Sequence, residues 1–245
     1  MSKYIEGVGE VQTPTGFKER ATNFWFHYKW HSIVSLILVF VTIVCSLQFC
    51  TKQDYDIHVM YAGCHVVGKT APEGSDAEVV KIISSLKRVS KDHDGDGSLN
   101  INFTNYYFLS QEEQQAAGTN VDYAFLSNDK KSLEGALSFS EYYLCLISPS
   151  VYETYNENGE IDMFISLDEY KSKISESAFY AYNAIKLAET DFYKMPGISE
   201  LPADTLICIK TPSVLSSKSE EHQEYISRAR ETLENIINYK VQQIK

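Results

Sequence analysis

The longest apolar stretch in the chain runs from Ile33 to Cys50, "IVSLILVFVTIVCSLQFC", without a charge and with only Ser35, Thr42, Ser46 and Gln48 polar. Extended backwards through "FWFHYKWHS" it reaches the roughly 20 residues that a helix needs to cross a hydrocarbon core of about 30 Å. Each central Leu, Ile, Val or Phe favours insertion by about 0.3 to 0.6 kcal/mol, and no Asp, Lys or Arg opposes them. Trp25, Tyr28 and Trp30 beside Lys29 form an aromatic belt of the kind found at a membrane interface, which argues against a buried core helix. "SLQFCTK" offers no small-residue cleavage site, so the segment is expected to stay as a signal anchor. Lys18, Arg20 and Lys29 precede it, whereas Lys52 follows it in the company of Asp54 and Asp56. The positive-inside rule then predicts a cytoplasmic tail (1–23), an interfacial segment and transmembrane helix (24–52) and an extracytoplasmic domain (53–245) at the cell membrane.

Beyond the anchor, periods of two and of 3.6 residues alternate. "DIHVMYA" (56–62) predicts a strand, and "SDAEVVKIISSLKRVS" a helix with Val79, Val80, Ile82, Ile83 and Leu86 on one face. "SLNINFTNYYFL" turns Leu99, Ile101 and Phe103 to one side, as a half-buried strand does. "DKKSLEGALSFS" predicts a helix and "YYLCLI" (142–147) a buried strand. "SPSVYETY" then reads as a helix start, with Ser148 as N-cap and Pro149 in the first turn. Extended pieces follow at 164–167, 184–189 and 204–210, and the described pattern closes on an amphipathic helix presenting Tyr225, Ala229, Leu233, Ile236 and Ile237. Strands separated by helices predict an α/β fold with a mainly parallel sheet flanked by helices.

Charge narrows the partners. A net charge of −11 with no Lys/Arg-rich run disfavours nucleic acid, which calls for a concentrated basic face. The cysteines, Cys45, Cys50, Cys64, Cys145 and Cys208, show no zinc-type spacing; all but Cys64 lie in or beside apolar runs and read as small buried hydrophobes.

Two motifs carry a chemical suggestion. "GCHVVGKT", Gly63 to Thr70, matches the phosphate-binding pattern G-x-x-x-x-G-K-[ST] after a strand. A phosphate cradle needs a helix starting at its Lys so that the helix N-terminus faces the anion, yet Pro72 and Gly74 postpone the helix to about Ser75. The outward compartment is also poor in nucleotides. No bound nucleotide is expected, and "FISLDE" (164–169) reads as a strand ending in a solvated turn. The second motif, "DHDGDGSLNIN", places Asp92, Asp94 and Asp96 at alternate positions before Gly97, as in the first half of an EF-hand loop. Ser98 would offer its carbonyl and Asn100 a ninth-position ligand, predicting a calcium site; Phe103 stands where the bidentate Glu belongs, so other oxygens must come from elsewhere. The alternative is an acidic turn between a helix and a strand.

The histidines are scattered, and His65 beside Cys64 in a strand-like segment would point to the opposite face. No serine occupies a G-x-S-x-G elbow, so no catalytic residues are assigned. The 17 tyrosines could line a ligand surface or pack at the core edges.

The succession "DKKSLEGALSFSEYYLCLISPSVYETY…MFISLDEY" resembles a recurring piece of extracellular solute-binding proteins of the type 2 periplasmic fold. The chain as a whole, with "NFWFHYKWH", the anchor, "YAG" and "DHDGDGSLNIN", resembles uncharacterised single-pass membrane proteins of Gram-positive anaerobic bacteria. The resemblance implies a solute-binding-like lobe that takes a small molecule or a protein partner without catalysis. Two-lobed members are longer, which leaves room here for one lobe. The competing expectations are a structural or assembly subunit of an envelope complex and an outward-facing hydrolase.

Overall fold

The computed structural model describes residues 16–50, 54–68, 77–156, 162–213 and 217–240. The chain divides into two compact units, Met1–Gln53 and Asp54–Lys245. In the first, helix α1 spans Phe17–Cys50. Its apolar portion, Phe24–Ser46, is 23 residues long with a mean hydropathy of 1.8, and none of it is buried. At 1.5 Å per residue this covers roughly 35 Å. Thr42 donates to the Leu38 carbonyl and Ser46 to the Thr42 carbonyl, both at 2.8 Å. These hydroxyls are therefore satisfied along the helix without water, as an apolar surrounding requires.

The second unit is built on a sheet of six strands in the order β2-β1-β3-β6-β5-β4. The strands are β1 (Ile57–Gly63), β2 (Ile101–Tyr107), β3 (Leu144–Ile147), β4 (Phe179–Ala181), β5 (Ala184–Lys186) and β6 (Leu206–Ile209). Every residue of β1 is buried, as expected of a central strand covered on both faces. Its neighbours β2 and β3 run parallel to it, and the connections carry helices α2 (Ala77–Leu86), α3 (Gln111–Ala117) and α4 (Tyr123–Phe139). Helix α5 (Pro149–Asn156) follows β3, with the Val151 N–H donating to Ser148 Oγ, as the N-cap reading anticipates. Helix α6 (Glu220–Asn238) comes last among the described elements.

The sheet is mixed rather than mainly parallel. β6 is antiparallel to both β3 and β5, and β5 to β4. The cause is the connections: only Tyr182 and Asn183 join β4 to β5, too few for a crossover, and the chain from β5 to β6 passes through short 3-10 turns at Leu187–Glu189, Asp191–Lys194 and Ile198–Glu200 instead of a crossover helix.

Side chains alternating along the strands divide the core between the two faces. Ile57, Val59 and Tyr61 of β1 pack with Ile82 and Leu86 of α2 and with Ala229, Leu233 and Ile236 of α6. Met60 and Ala62 pack on the other face with Leu133, Ala136 and Leu137 of α4 and Val151 of α5. One expected member of the α2 face differs: Val80 is exposed, while Ser85 is buried and donates to the Pro196 carbonyl at 2.7 Å. The reason is the helix angle, since Val80 lies about a third of a turn away from the stripe formed by Val79, Ile82, Ile83 and Leu86.

Candidate functional site

The three parallel strands give the second unit two chemically different edges. At their N-terminal edge, Asp56 enters β1 fully buried. One carboxylate oxygen accepts from the His93 N–H at 2.6 Å, and the other from the Asn100 N–H at 2.8 Å. The Asp56 N–H in turn donates to the Asn100 carbonyl, and Arg228 of α6 donates to the carbonyls of Tyr55 and Asp56. The chain between His93 and Asn100 is thus clamped at both ends on one carboxylate.

Within that clamp lies the acidic loop. Asp92 accepts from the N–H groups of Gly95 at 2.7 Å and Gly97 at 2.9 Å, Asp94 from that of Asp96, and Asp96 from that of Ser98. Gly97 has φ +83, a left-handed conformation that side chains disfavour, which accounts for glycine at the turn. The hydrogen bond from Gly95, followed by that from Gly97, holds the Asp92 carboxyl below the usual range. For Asp94 the hydrogen bond from Asp96 acts in the same direction, but lost hydration and the contact with Asp92 outweigh it and move this carboxyl up. Asp56, Asp92 and Asp94 each bring a carboxylate oxygen within 4.8 Å of the other two. Of the residues singled out in the sequence, Asp92 and Asp94 therefore converge. Asp96 is turned to the Ser98 N–H, Asn100 contributes its backbone to Asp56, and Ser98 is exposed. Asp56, absent from the motif, brings the third of these carboxylates, and Phe103, at the motif's twelfth position, packs against the core. Its sequence signal was slight: an acid placed directly before an apolar strand.

At the C-terminal edge, β1 ends in the P-loop-like segment. Lys69 and Thr70 lie outside the described residues, as do Pro72, Gly74 and Ser75. The part that is described, Gly63–Gly68, turns around a carboxylate: Glu78 accepts from the Gly68 N–H at 3.1 Å and lies 2.5 Å from Nε2 of His65. A negative side chain here takes a backbone donor of the kind a phosphate would need. Cys64 and His65 lie in the loop after β1 rather than within a strand, and the imidazole is bound to Glu78.

Beside this loop opens a cleft of about 500 Å³ lined by Ser110, Glu112 and Glu113 from the loop after β2 and the start of α3, by Ser150 and Glu153 of α5, and by Asp204 before β6. Ser110 and Glu113 form a reciprocal capping box that fixes the start of α3. Tyr180 donates to Glu153 at 2.7 Å. Among the described residues, Glu112 and Asp204 have no hydrogen-bond or ion-pair partner. Partial burial raises the Cys64 thiol pKa, and the negative charges of Glu113 and Asp204 raise it further, the opposite of the shift that activates a thiol.

Several other residues raised by the sequence have partners within the second unit. Asp168 pairs with Lys171 and Glu169 with Arg230. His58 is enclosed by the rings of Tyr55, Tyr142 and Tyr225, and His222 meets the Tyr143 hydroxyl. Tyr152 is buried, donating to Asn183 at 2.6 Å, and the tyrosines line the core edges more than the cleft. Comparison with protein-family profiles, curated proteins and solved structures returns no match.

Proposed function

We propose that the chain is a membrane-anchored, non-catalytic binding protein whose outward-facing α/β unit takes a cationic group into the cleft at the C-terminal edge. The observation that carries this reading is the position of the cleft. The chain leaves β1 toward β2 on one side, while β3 lies on the other, so the loops after the parallel strands part there. In open α/β sheets ligands enter the crevice outside the carboxyl ends of the strands at such a switch point. Glu112, Glu113, Glu153 and Asp204 give the cleft negative charge, and the free carboxylates of Glu112 and Asp204 favour an ammonium or guanidinium group. The apolar portion of α1, Phe24–Ser46, none of it buried, supports the anchor, and the excess of Lys and Arg before it supports the outward orientation. The resemblance to solute-binding proteins supports a small-molecule or peptide ligand.

The test is calorimetric titration of the full chain in detergent with N-acetyl-lysine methyl ester and with N-acetyl-norleucine methyl ester, which lacks only the ammonium. Binding of the lysine ester alone, weakened about tenfold by Glu112→Gln with Asp204→Asn, is expected. Equal binding of the two esters, or of neither, contradicts the reading.

A second reading concerns the opposite edge, where we propose a calcium ion held by Asp56, Asp92 and Asp94. The convergence of their oxygens supports it, since calcium is bound by oxygen ligands, chiefly carboxylates and carbonyls. Its role there is to fasten the 92–100 loop to β1. Millimolar calcium should raise the melting temperature of the protein over that in EDTA, and Asp94→Ala should abolish the rise. An identical melting temperature in both conditions reduces the loop to an acidic turn.

A further inference from the structure

The two central antiparallel strands β3 and β6 place Cys145 directly opposite Cys208. Both side chains are fully buried, and both lie on the sheet face covered by α4 and α5. The thiols are free in the structure. The type of cross-strand position follows from the ladder: the Lys210 N–H donates to the Tyr143 carbonyl at 2.9 Å, so Tyr143 and Lys210 form a hydrogen-bonded pair. Pair types alternate along an antiparallel ladder, and Cys145 with Cys208, two positions on, is of the same type. Cα atoms at such positions are about 5.5 Å apart, inside the Cα range of a disulfide, while their Cβ atoms must draw in from about 5 Å to about 4 Å and the Cys145 thiol must leave the Tyr142 and Tyr143 carbonyls for the bond to close. Sequence spacing gave no sign of this pairing, because long segments of chain lie between the two strands.

We infer that Cys145 and Cys208 form a buried cross-strand disulfide when the chain folds in the presence of a disulfide donor, and that the closed sheet then fixes whichever redox state was present at folding. In the exchange each cysteine loses its thiol proton and the pair gives up two electrons. The donor's S–S bond breaks, taking those electrons and protons as two thiols, while one Sγ–Sγ bond forms. The donor class is a disulfide oxidoreductase or a low-molecular-weight disulfide. In the folded chain the exchange is blocked, because attack needs a thiolate and access. Burial pushes the Cys145 thiol up to about 12 and holds that of Cys208 well above its ordinary value. Occurrence of the bond in the cell rests on the outward orientation of the domain; the chemistry itself does not.

The experiment therefore uses purified full chain in detergent, unfolded in urea and refolded in either glutathione disulfide with glutathione or in a phosphine reductant. Free thiols are blocked with N-ethylmaleimide under denaturing conditions, and peptides are identified by mass. The expected result in the oxidising buffer is one linked pair, the peptide bearing Cys145 joined to that bearing Cys208, with Cys64 alkylated. The oxidised form should melt about 10 °C above the reduced form, and Cys145→Ala with Cys208→Ala should melt alike in both buffers. The folded reduced protein should resist glutathione disulfide far longer than the unfolded chain. Maleimide on both Cys145 and Cys208 after oxidative refolding, or a link from either to another cysteine, overturns the inference. So does oxidation of the folded protein as fast as that of the unfolded chain. If mispairing with Cys45, Cys50 or Cys64 complicates the digest, their triple replacement by alanine isolates the pair, and failure to link there is decisive against it.

Discussion

The two edges of the parallel strands handle charge in opposite ways. At the N-terminal edge Asp56 is buried with both oxygens accepting backbone N–H groups. Lys210, buried at the same edge, donates to the carbonyls of Ala136 and Ser140 at the end of α4. At the C-terminal edge the carboxylates of Glu112 and Asp204 stand in a cleft with no partner among the described residues. Buried charge that is compensated specifies a fold, because losing either partner leaves the other unsatisfied. Exposed charge that is left open contributes little to stability and is available to a ligand. On the proposed reading, the N-terminal edge serves stability and the C-terminal edge takes the cationic ligand.

The contrast is most severely strained by Asp56→Ala, which removes two charge-assisted hydrogen bonds and releases both ends of the acidic loop. A loss of about 3–5 kcal/mol in urea unfolding is expected, with Asp56→Asn losing less because one acceptor oxygen remains. A loss below 1 kcal/mol would mean that the clamp does not hold this edge.

Lys210→Met comes next, at about 2–4 kcal/mol, because the Ser140 carbonyl loses its Lys210 donor and the Ala136 carbonyl keeps only those from Ser140. It also changes the pH dependence. Burial holds the Lys210 ammonium below its ordinary value of 10.5. Between the lowered value and 10.5 the unfolded chain binds more protons at this residue than the folded one, so its contribution raises stability as pH rises through that window. The stability curve of the parent protein minus that of Lys210→Met should therefore climb toward pH 10.5; a flat difference would show that the charge is not buried at a cost.

Glu112→Gln with Asp204→Asn should have the smallest effect on unfolding, within about 0.5 kcal/mol, while weakening the lysine ester as described above. A large loss of stability would make these carboxylates part of the scaffold and erase the distinction between the edges.

Much of the scaffold was legible in the sequence. The apolar runs of β1, β3 and β6, the periodicity of α6 and the Ser-Pro start of α5 all follow from local pattern. So was α3 in principle, since Ser110 and Glu113 spell a capping box. Strand direction was not legible. β4 and β5 are three residues each, too short for a period to show, and Tyr182-Asn183 lacks the glycine that usually marks a hairpin turn. The sites divide in the same way. Asp92 and Asp94 are visible because their spacing is local, but Asp56 reaches them only through the pairing of β1 with β2, and the cleft is assembled from segments far apart in the chain. Gly63–Gly68 shows the converse: the letters of a phosphate loop surround Glu78, which no local pattern reveals as its neighbour.

The most direct measurement is the labelling of Cys64, which is exposed beside the cleft, by a membrane-impermeant maleimide in intact cells producing the full chain, with Cys64→Ser as the control for Cys45 and Cys50. Labelling of Cys64 in intact cells to the same extent as in lysed cells is the expected result and puts the cleft outside the membrane. Labelling only after lysis would place the cleft inside the cell and contradict the reading of an anchored, outward-facing binding protein.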